Sequence, residues 1–166
     1  MTQTHTGTAL ITGASTGIGS VYAQALARRG YDLVLVARNR DRLNALATRI
    51  TNDTQQHVEV FPADLSHAQD LARLERKLRE DASITLLVNN AGIGTHTPLL
   101  DSDVERMAQM IGLNITALTR LTYAAVPGFV ARQQGAVINI SSVVSLAPEL
   151  LNGVYGASKA YVTAFS

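Results

Sequence analysis

A short apolar run, Thr8 to Thr12, opens directly into Gly13-Ala-Ser-Thr-Gly17-Ile-Gly19, and helix-period sequence follows as far as Arg29. Three closely spaced glycines at a strand-to-helix junction leave few folds open, because each tolerates a backbone or a close approach that a side chain forbids. Gly13 permits a tight turn, Gly17 lets the backbone approach a pyrophosphate, and Gly19 lets the helix pack on the strand. Phosphates at such a junction would meet a helix N-terminus, whose unpaired N–H groups and dipole favour an anion. A purely steric role for the glycines is the alternative.

The rest of the chain repeats the same unit. Asp32 to Ala37, His57 to Phe61, Ile84 to Val88 and Ala136 to Ile140 read as further strands, the first of them apolar on both faces as buried parallel strands are. Between them lie a helix over Gly19 to Arg29 closed by Gly30, and one over Arg40 to Ile50 with Leu43, Leu46 and Ile50 on one face. A third, N-capped by Ser66, carries the stripe Leu71, Leu74 and Leu78. After a loop from Asn89 to Ser102 comes one long helix from Val104 to Phe129, and a last helix begins at Gly153. Alternating strands and crossover helices predict α/β architecture, a doubly wound Rossmann-type parallel sheet of order 3-2-1-4-5 with helices on both faces. Residues 1–166 form a single domain in this reading, with no repeat or linker.

Composition removes several function classes. The 14 basic and 13 acidic residues leave a formal net charge of +1 with no block of one sign, which argues against nucleic acid or an anionic membrane as partner. There are no cysteines, so disulfide frameworks and thiolate metal sites are excluded, and a reducing compartment fits. The first residues lack a basic segment followed by a long apolar run, and the most lipid-like window, Met110 to Val130, carries Asn114, Arg120 and Pro127. A soluble, cytoplasmic protein is expected. His5, His57, His67 and His96 show no metal-ligand spacing, and no metal is expected; His96 keeps a weak candidacy near a substrate.

Residues just beyond strand ends are candidates for ligand contact in an open α/β sheet. An acidic residue often closes the second strand where NAD is bound, roughly 20 residues after the glycine turn, to hold the ribose 2′-hydroxyl. Here the position carries Arg38, after Ala37. A guanidinium holds a 2′-phosphate that a carboxylate repels, so NADP(H) is favoured over NAD(H), with Ser15 and Thr16 as hydroxyl donors. A solvated arginine opening a helix is the plainer reading. Asp64 and Leu65 follow strand three; Asn89, Asn90, Ala91 and Gly92 follow strand four. Asp64 can accept from an adenine amino group or simply cap a turn, and the Asn-Gly segment can be turn chemistry alone.

Tyr155 and Lys159 stand four residues apart, on one face of a helix. A phenol ordinarily titrates near pH 10, so acid–base work near neutrality needs a neighbouring cation. A charge about 6 Å away at an effective dielectric of about 20 favours phenolate by roughly 3 kcal/mol. Ser142 ends strand five, 13 residues before Tyr155, and Asn114 interrupts an apolar helix, where a buried amide must find partners. Singly these residues have ordinary alternatives: an interface aromatic, a surface charge, a helix cap, a core amide.

Together, the TGxxxGIG turn with Ile18 inside it, Asp64, the NNAG segment, Asn114, Ser142 and YxxxK occur in an order that resembles the classical branch of the short-chain dehydrogenase/reductase family. The resemblance covers nearly the whole chain. It implies that Tyr155 is the proton donor and acceptor, that Lys159 assists it and binds the nicotinamide ribose, that Ser142 hydrogen-bonds the substrate oxygen, and that Asn114 holds the lysine through a water. The activity implied is NADP(H)-dependent interconversion of a carbonyl and a secondary alcohol, on a small or medium apolar compound lined by Asn89 to Ser102 and Val143 to Asn152. Family members continue beyond the point where Ser166 stands, into further strands and a substrate lid, so a catalytically silent nucleotide-binding fragment is the alternative. A methyltransferase would leave Asn114, Ser142, Tyr155 and Lys159 unexplained. The apolar circumference of the helix between Met110 and Val130 predicts a homo-oligomer, a dimer or tetramer, through it and the helix after Tyr155.

Overall fold

The computed structural model describes residues 6–95, 97, 99–147 and 153–166. Five strands, β1 (Thr8–Thr12), β2 (Asp32–Ala37), β3 (Val58–Pro62), β4 (Ile84–Asn89) and β5 (Ala136–Asn139), form one sheet of order β3-β2-β1-β4-β5. Every pairing is parallel, with Leu10 opposite both Val34 and Leu87. This is the doubly wound Rossmann-type sheet the alternation predicts.

Side chains of a strand alternate between faces, and the two cores follow that period. Leu10, Val34, Val36 and Leu87 join Leu74, Leu78, Leu121 and Phe129 of helices α3 (Ala68–Glu80) and α5 (Leu118–Ala131). Ala9, Ile11, Leu33, Leu35 and Val88 face the other way, onto Leu26, Leu43, Leu46 and Ile50 of α1 (Gly17–Ala27) and α2 (Arg40–Thr54). Fully burying each leucine contributes roughly 1.5–3 kcal/mol. The sheet is thereby fixed as a platform whose strand ends hold the site.

The helices depart from the sequence reading in several details, α1 starting and ending two residues before the expected Gly19 to Arg29. Helix α3 is capped by the backbone of His67, not by Ser66, because Asp64 Oδ1 accepts from the Ser66 N–H at 2.9 Å and turns the chain before the helix begins. Helix α2 runs on to Thr54 and closes on Gln55 in the left-handed region, at φ 62°. The long helix is three segments: α4 (Val104–Ile111), a π-helical turn Gly112–Ala117, and α5. The last described helix is α6 (Val154–Phe165). Among the described residues no helix is long and apolar enough to cross a membrane.

Candidate active site

The glycine turn folds over the end of β2, where the Ala14 N–H donates to the Val36 carbonyl at 3.1 Å. Gly13 has φ 64°, and a side chain there would strike Asn90 Nδ2. Gly19 lies so close to the Gly13 carbonyl that a Cβ would sit 2.4 Å from its oxygen and 2.5 Å from Asn90 Nδ2, so the start of the helix packs tightly on the turn and on the residue after β4. Gly17, at φ 55°, faces open space. Helix α1 starts here with no side-chain cap on its first N–H groups and no acidic residue in its first turn, an arrangement that suits a phosphate.

Beside the turn runs a cleft of about 380 Å³. Gly13, Ser15, Thr16 and Ile18 line it on one side, Arg38, Asp64 and Leu65 on another, and Asn90, Ala91, Gly92 and Ile93 on a third. Most of the expected ligand contacts thus share one cavity at the carboxyl ends of β1 to β4, the region where strand order reverses and such sheets bind ligands. Gln109 and Leu113 complete its wall; in the sequence they look like ordinary positions of a core helix, and nothing in the periodicity marks them.

The NNAG segment is tied firmly in place. Thr12 Oγ1 accepts from the backbone N–H groups of Asn90 and Ala91, each at 3.0 Å, and Asn90 Nδ2 donates to the carbonyls of Thr12 and Gly13 at 2.9 and 3.1 Å. Both donors of the Asn90 amide therefore serve the glycine turn. Asn89 points the other way, its Nδ2 donating to Thr122 Oγ1 and Asn139 Oδ1, both at 3.0 Å.

Beyond the cleft the remaining candidates converge. The π-helical turn carries Asn114 inward, 2% exposed. Its Oδ1 accepts from the Ile93 N–H at 2.9 Å, and its Nδ2 donates to the Ile93 carbonyl at 2.9 Å and to Ser158 Oγ at 3.1 Å. Ser158, fully buried, in turn donates to the Tyr155 carbonyl at 2.8 Å. Lys159 is 8% exposed and its Nζ donates to the Ile140 carbonyl at the end of β5, at 2.8 Å. Burial pushes its ammonium below the usual lysine range. A Cβ on Gly92 would lie 3.1 Å from Asn114 Oδ1 and 3.8 Å from Lys159 Nζ, and one on Gly94 would lie 3.3 Å from the ring of Tyr155. The Gly92–Gly94 backbone is accordingly the meeting point of all three side chains.

Ser142 caps the short 3-10 turn Val143–Ser145, its Oγ accepting from the Val144 N–H at 3.4 Å. Ser141 Oγ is turned towards α6, on the Lys159 carbonyl and Thr163. Ser158 carries no mark in the sequence beyond its place three residues after Tyr155, on the same helix face. His57 and His67 are exposed, and no group of three metal-ligand side chains occurs among the described residues. His5, His96, Pro98 and residues 148–152 lie outside the described residues.

The family model described as short chain dehydrogenase matches residues 7–166. The chain is 36% identical over 162 residues to the very-long-chain 3-oxoacyl-CoA reductase of Anas platyrhynchos, covering 95% of this chain and 52% of that protein. It therefore spans about half the length of the curated relatives it matches. A short-chain dehydrogenase from Sphingobium yanoikuyae in complex with NADPH superposes with a TM-score of 0.94 at 50% identity, over 96% of this chain and 62% of that one. The bulky-bulky ketone specific alcohol dehydrogenase from Comamonas testosteroni gives a TM-score of 0.93 at 46% identity, over 96% and 64% of the two chains.

Proposed function

The chain belongs to the short-chain dehydrogenase family, and on that footing we propose that it is an NADP(H)-dependent oxidoreductase interconverting a carbonyl compound and a secondary alcohol. The observation that carries the reading is the meeting of Asn114, Tyr155 and Lys159 around Gly92 and Gly94, beside a cleft that runs past the glycine turn to Arg38. The open space at Gly17 and the uncapped start of α1 fit a pyrophosphate, held by the turn backbone with Ser15 and Thr16. Arg38 takes the 2′-phosphate, Asp64 and Leu65 meet the adenine, and Ile18, Asn90, Ala91 and Gly92 line the cofactor elsewhere in the cleft. When bound, NADP(H) supplies or accepts the hydride.

In the reducing direction the Tyr155 hydroxyl gives its proton to the carbonyl oxygen, and in oxidation it takes the proton back. Ser142 Oγ already accepts from Val144, which leaves its hydrogen for the substrate oxygen. Lys159, anchored on Ile140, brings a positive charge to the helix face of Tyr155 and binds the nicotinamide ribose with its remaining hydrogens. Asn114 and Ser158 hold the Ile93 loop against α6, so that the cofactor wall and the acid keep one spacing.

Two relatives are named for ketone substrates, a 3-oxoacyl-CoA and a bulky ketone, and the exposed side chains of Val143 and Leu146 just after Ser142 favour an apolar one here. We further propose a homo-oligomer joined through α5 and α6, on the exposed Tyr123, Val126 and Val130. The test of the function is incubation of the chain with NADPH and a panel of alkyl aryl ketones. Formation of the secondary alcohol in step with NADPH consumption supports the reading; NADPH bound with no alcohol from any ketone contradicts it.

A further inference from the structure

We propose that Asp64 sets how strongly this chain prefers NADP(H) over NAD(H), by competing with the 2′-phosphate for Arg38; the inference rests on the cofactor reading above. Parallel pairing places Ala37 opposite Pro62, and the Ala63 N–H donates to the Ala37 carbonyl at 3.0 Å, so the ends of β2 and β3 run side by side. The residues that follow them, Arg38 and Asp64, meet at the cleft rim with Arg38 Nη1 3.9 Å from Asp64 Oδ2.

The carboxylate is not free to swing away. Its Oδ1 accepts from the Ser66 N–H at 2.9 Å, and its own backbone N–H donates to Asp70 Oδ2 at 2.9 Å, which leaves Oδ2 aimed at the guanidinium. The Arg38 side chain is 76% exposed and can swing. Any anion drawn to Arg38 therefore displaces or shares a fixed carboxylate, a cost that falls on a 2′-phosphate, which needs the guanidinium, and not on a 2′-hydroxyl, which does not. The adenine is common to both cofactors, so an effect of Asp64 on adenine cancels in the ratio of their affinities, while its effect through Arg38 does not.

The experiment measures Kd for NADPH and NADH by nicotinamide fluorescence in the wild-type chain, Asp64→Asn, Arg38→Ala and the double variant. Asparagine keeps the acceptor for Ser66. Removing a partly exposed charge partner is expected to raise the NADPH-over-NADH ratio by roughly two- to five-fold in Asp64→Asn, the range of an exposed ion pair, and to leave it unchanged in the Arg38→Ala background. A ratio unmoved by Asp64→Asn, or moved equally without Arg38, overturns the inference and leaves the cofactor reading standing. A wild-type chain that binds neither cofactor, or an Arg38→Ala variant that keeps the wild-type ratio, overturns both.

Discussion

At Ser158 one fully buried hydroxyl does two jobs, accepting from Asn114 and donating to the carbonyl of Tyr155. Ser158→Ala leaves one hydrogen of the Asn114 amide buried without a partner, and the expected loss is about 1–3 kcal/mol, read by chemical denaturation. If Ser158 also holds the Ile93 loop in register with Tyr155, ketone turnover falls while the Kd for NADPH stays put; equal loss in both would reduce Ser158 to a packing residue. The positions that gather in the candidate site stand out in the sequence because chemistry and place coincide: glycines at a strand-helix junction, a cation after β2, Tyr155 and Lys159 one helical turn apart. Their partners do not. That Arg38 faces Asp64, that Asn90 is bound to the glycine turn, and that Asn114 reaches Ser158 depend on contacts between residues 26 to 78 positions apart, which no local pattern encodes.

Among the elements, the strands are legible to within a residue because runs of four to six residues rich in apolar side chains and bounded by turn signals are too short for helices. The sequence reads as one long helix because its apolar residues keep a helical spacing on either side of Gly112–Ala117; the π-helical turn adds a local register change that this spacing cannot report, and it carries the buried Asn114. Helix α3 is pinned to α5 through Glu75, buried on α3 and hydrogen-bonded by Arg79 of its own helix and Arg120 of α5. Burial alone would raise its carboxyl, but the bonds from Arg120 and Arg79 outweigh burial and hold it below the usual glutamate range. With the folded value depressed, this stabilisation is complete above the ordinary value of 4.5 and is lost as pH falls through the folded one. Glu75→Gln is expected to destabilise the fold by about 1–2 kcal/mol at neutral pH, discounted because both arginines are more than half exposed. Denaturation midpoints of the two proteins should draw together in acid; a constant gap across pH would remove the ion pair from the account.

For the whole molecule, the sheet gathers the candidate site at the carboxyl ends of its strands, and helix α5 leaves an exposed apolar surface on the outside. On that surface Tyr123 is 71% and Val130 69% exposed, and Tyr123 stacks on Phe165 of α6 at 6.4 Å between ring centres. Such a patch predicts self-association. Light scattering at micromolar concentration should give a dimer or tetramer, and Val130→Glu should shift it to monomer; a wild-type monomer would contradict this.

The central claim is that Tyr155 moves the proton while the cleft holds NADP(H), and the most direct measurement compares NADPH-dependent ketone reduction by the wild-type chain and by Tyr155→Phe, with NADPH affinity measured on both. Removing only the hydroxyl is predicted to lower turnover by at least about 10²-fold, the contribution of a positioned acid, with NADPH affinity unchanged. Wild-type turnover in Tyr155→Phe would show that the proton comes from elsewhere and that the assignment of the site is wrong.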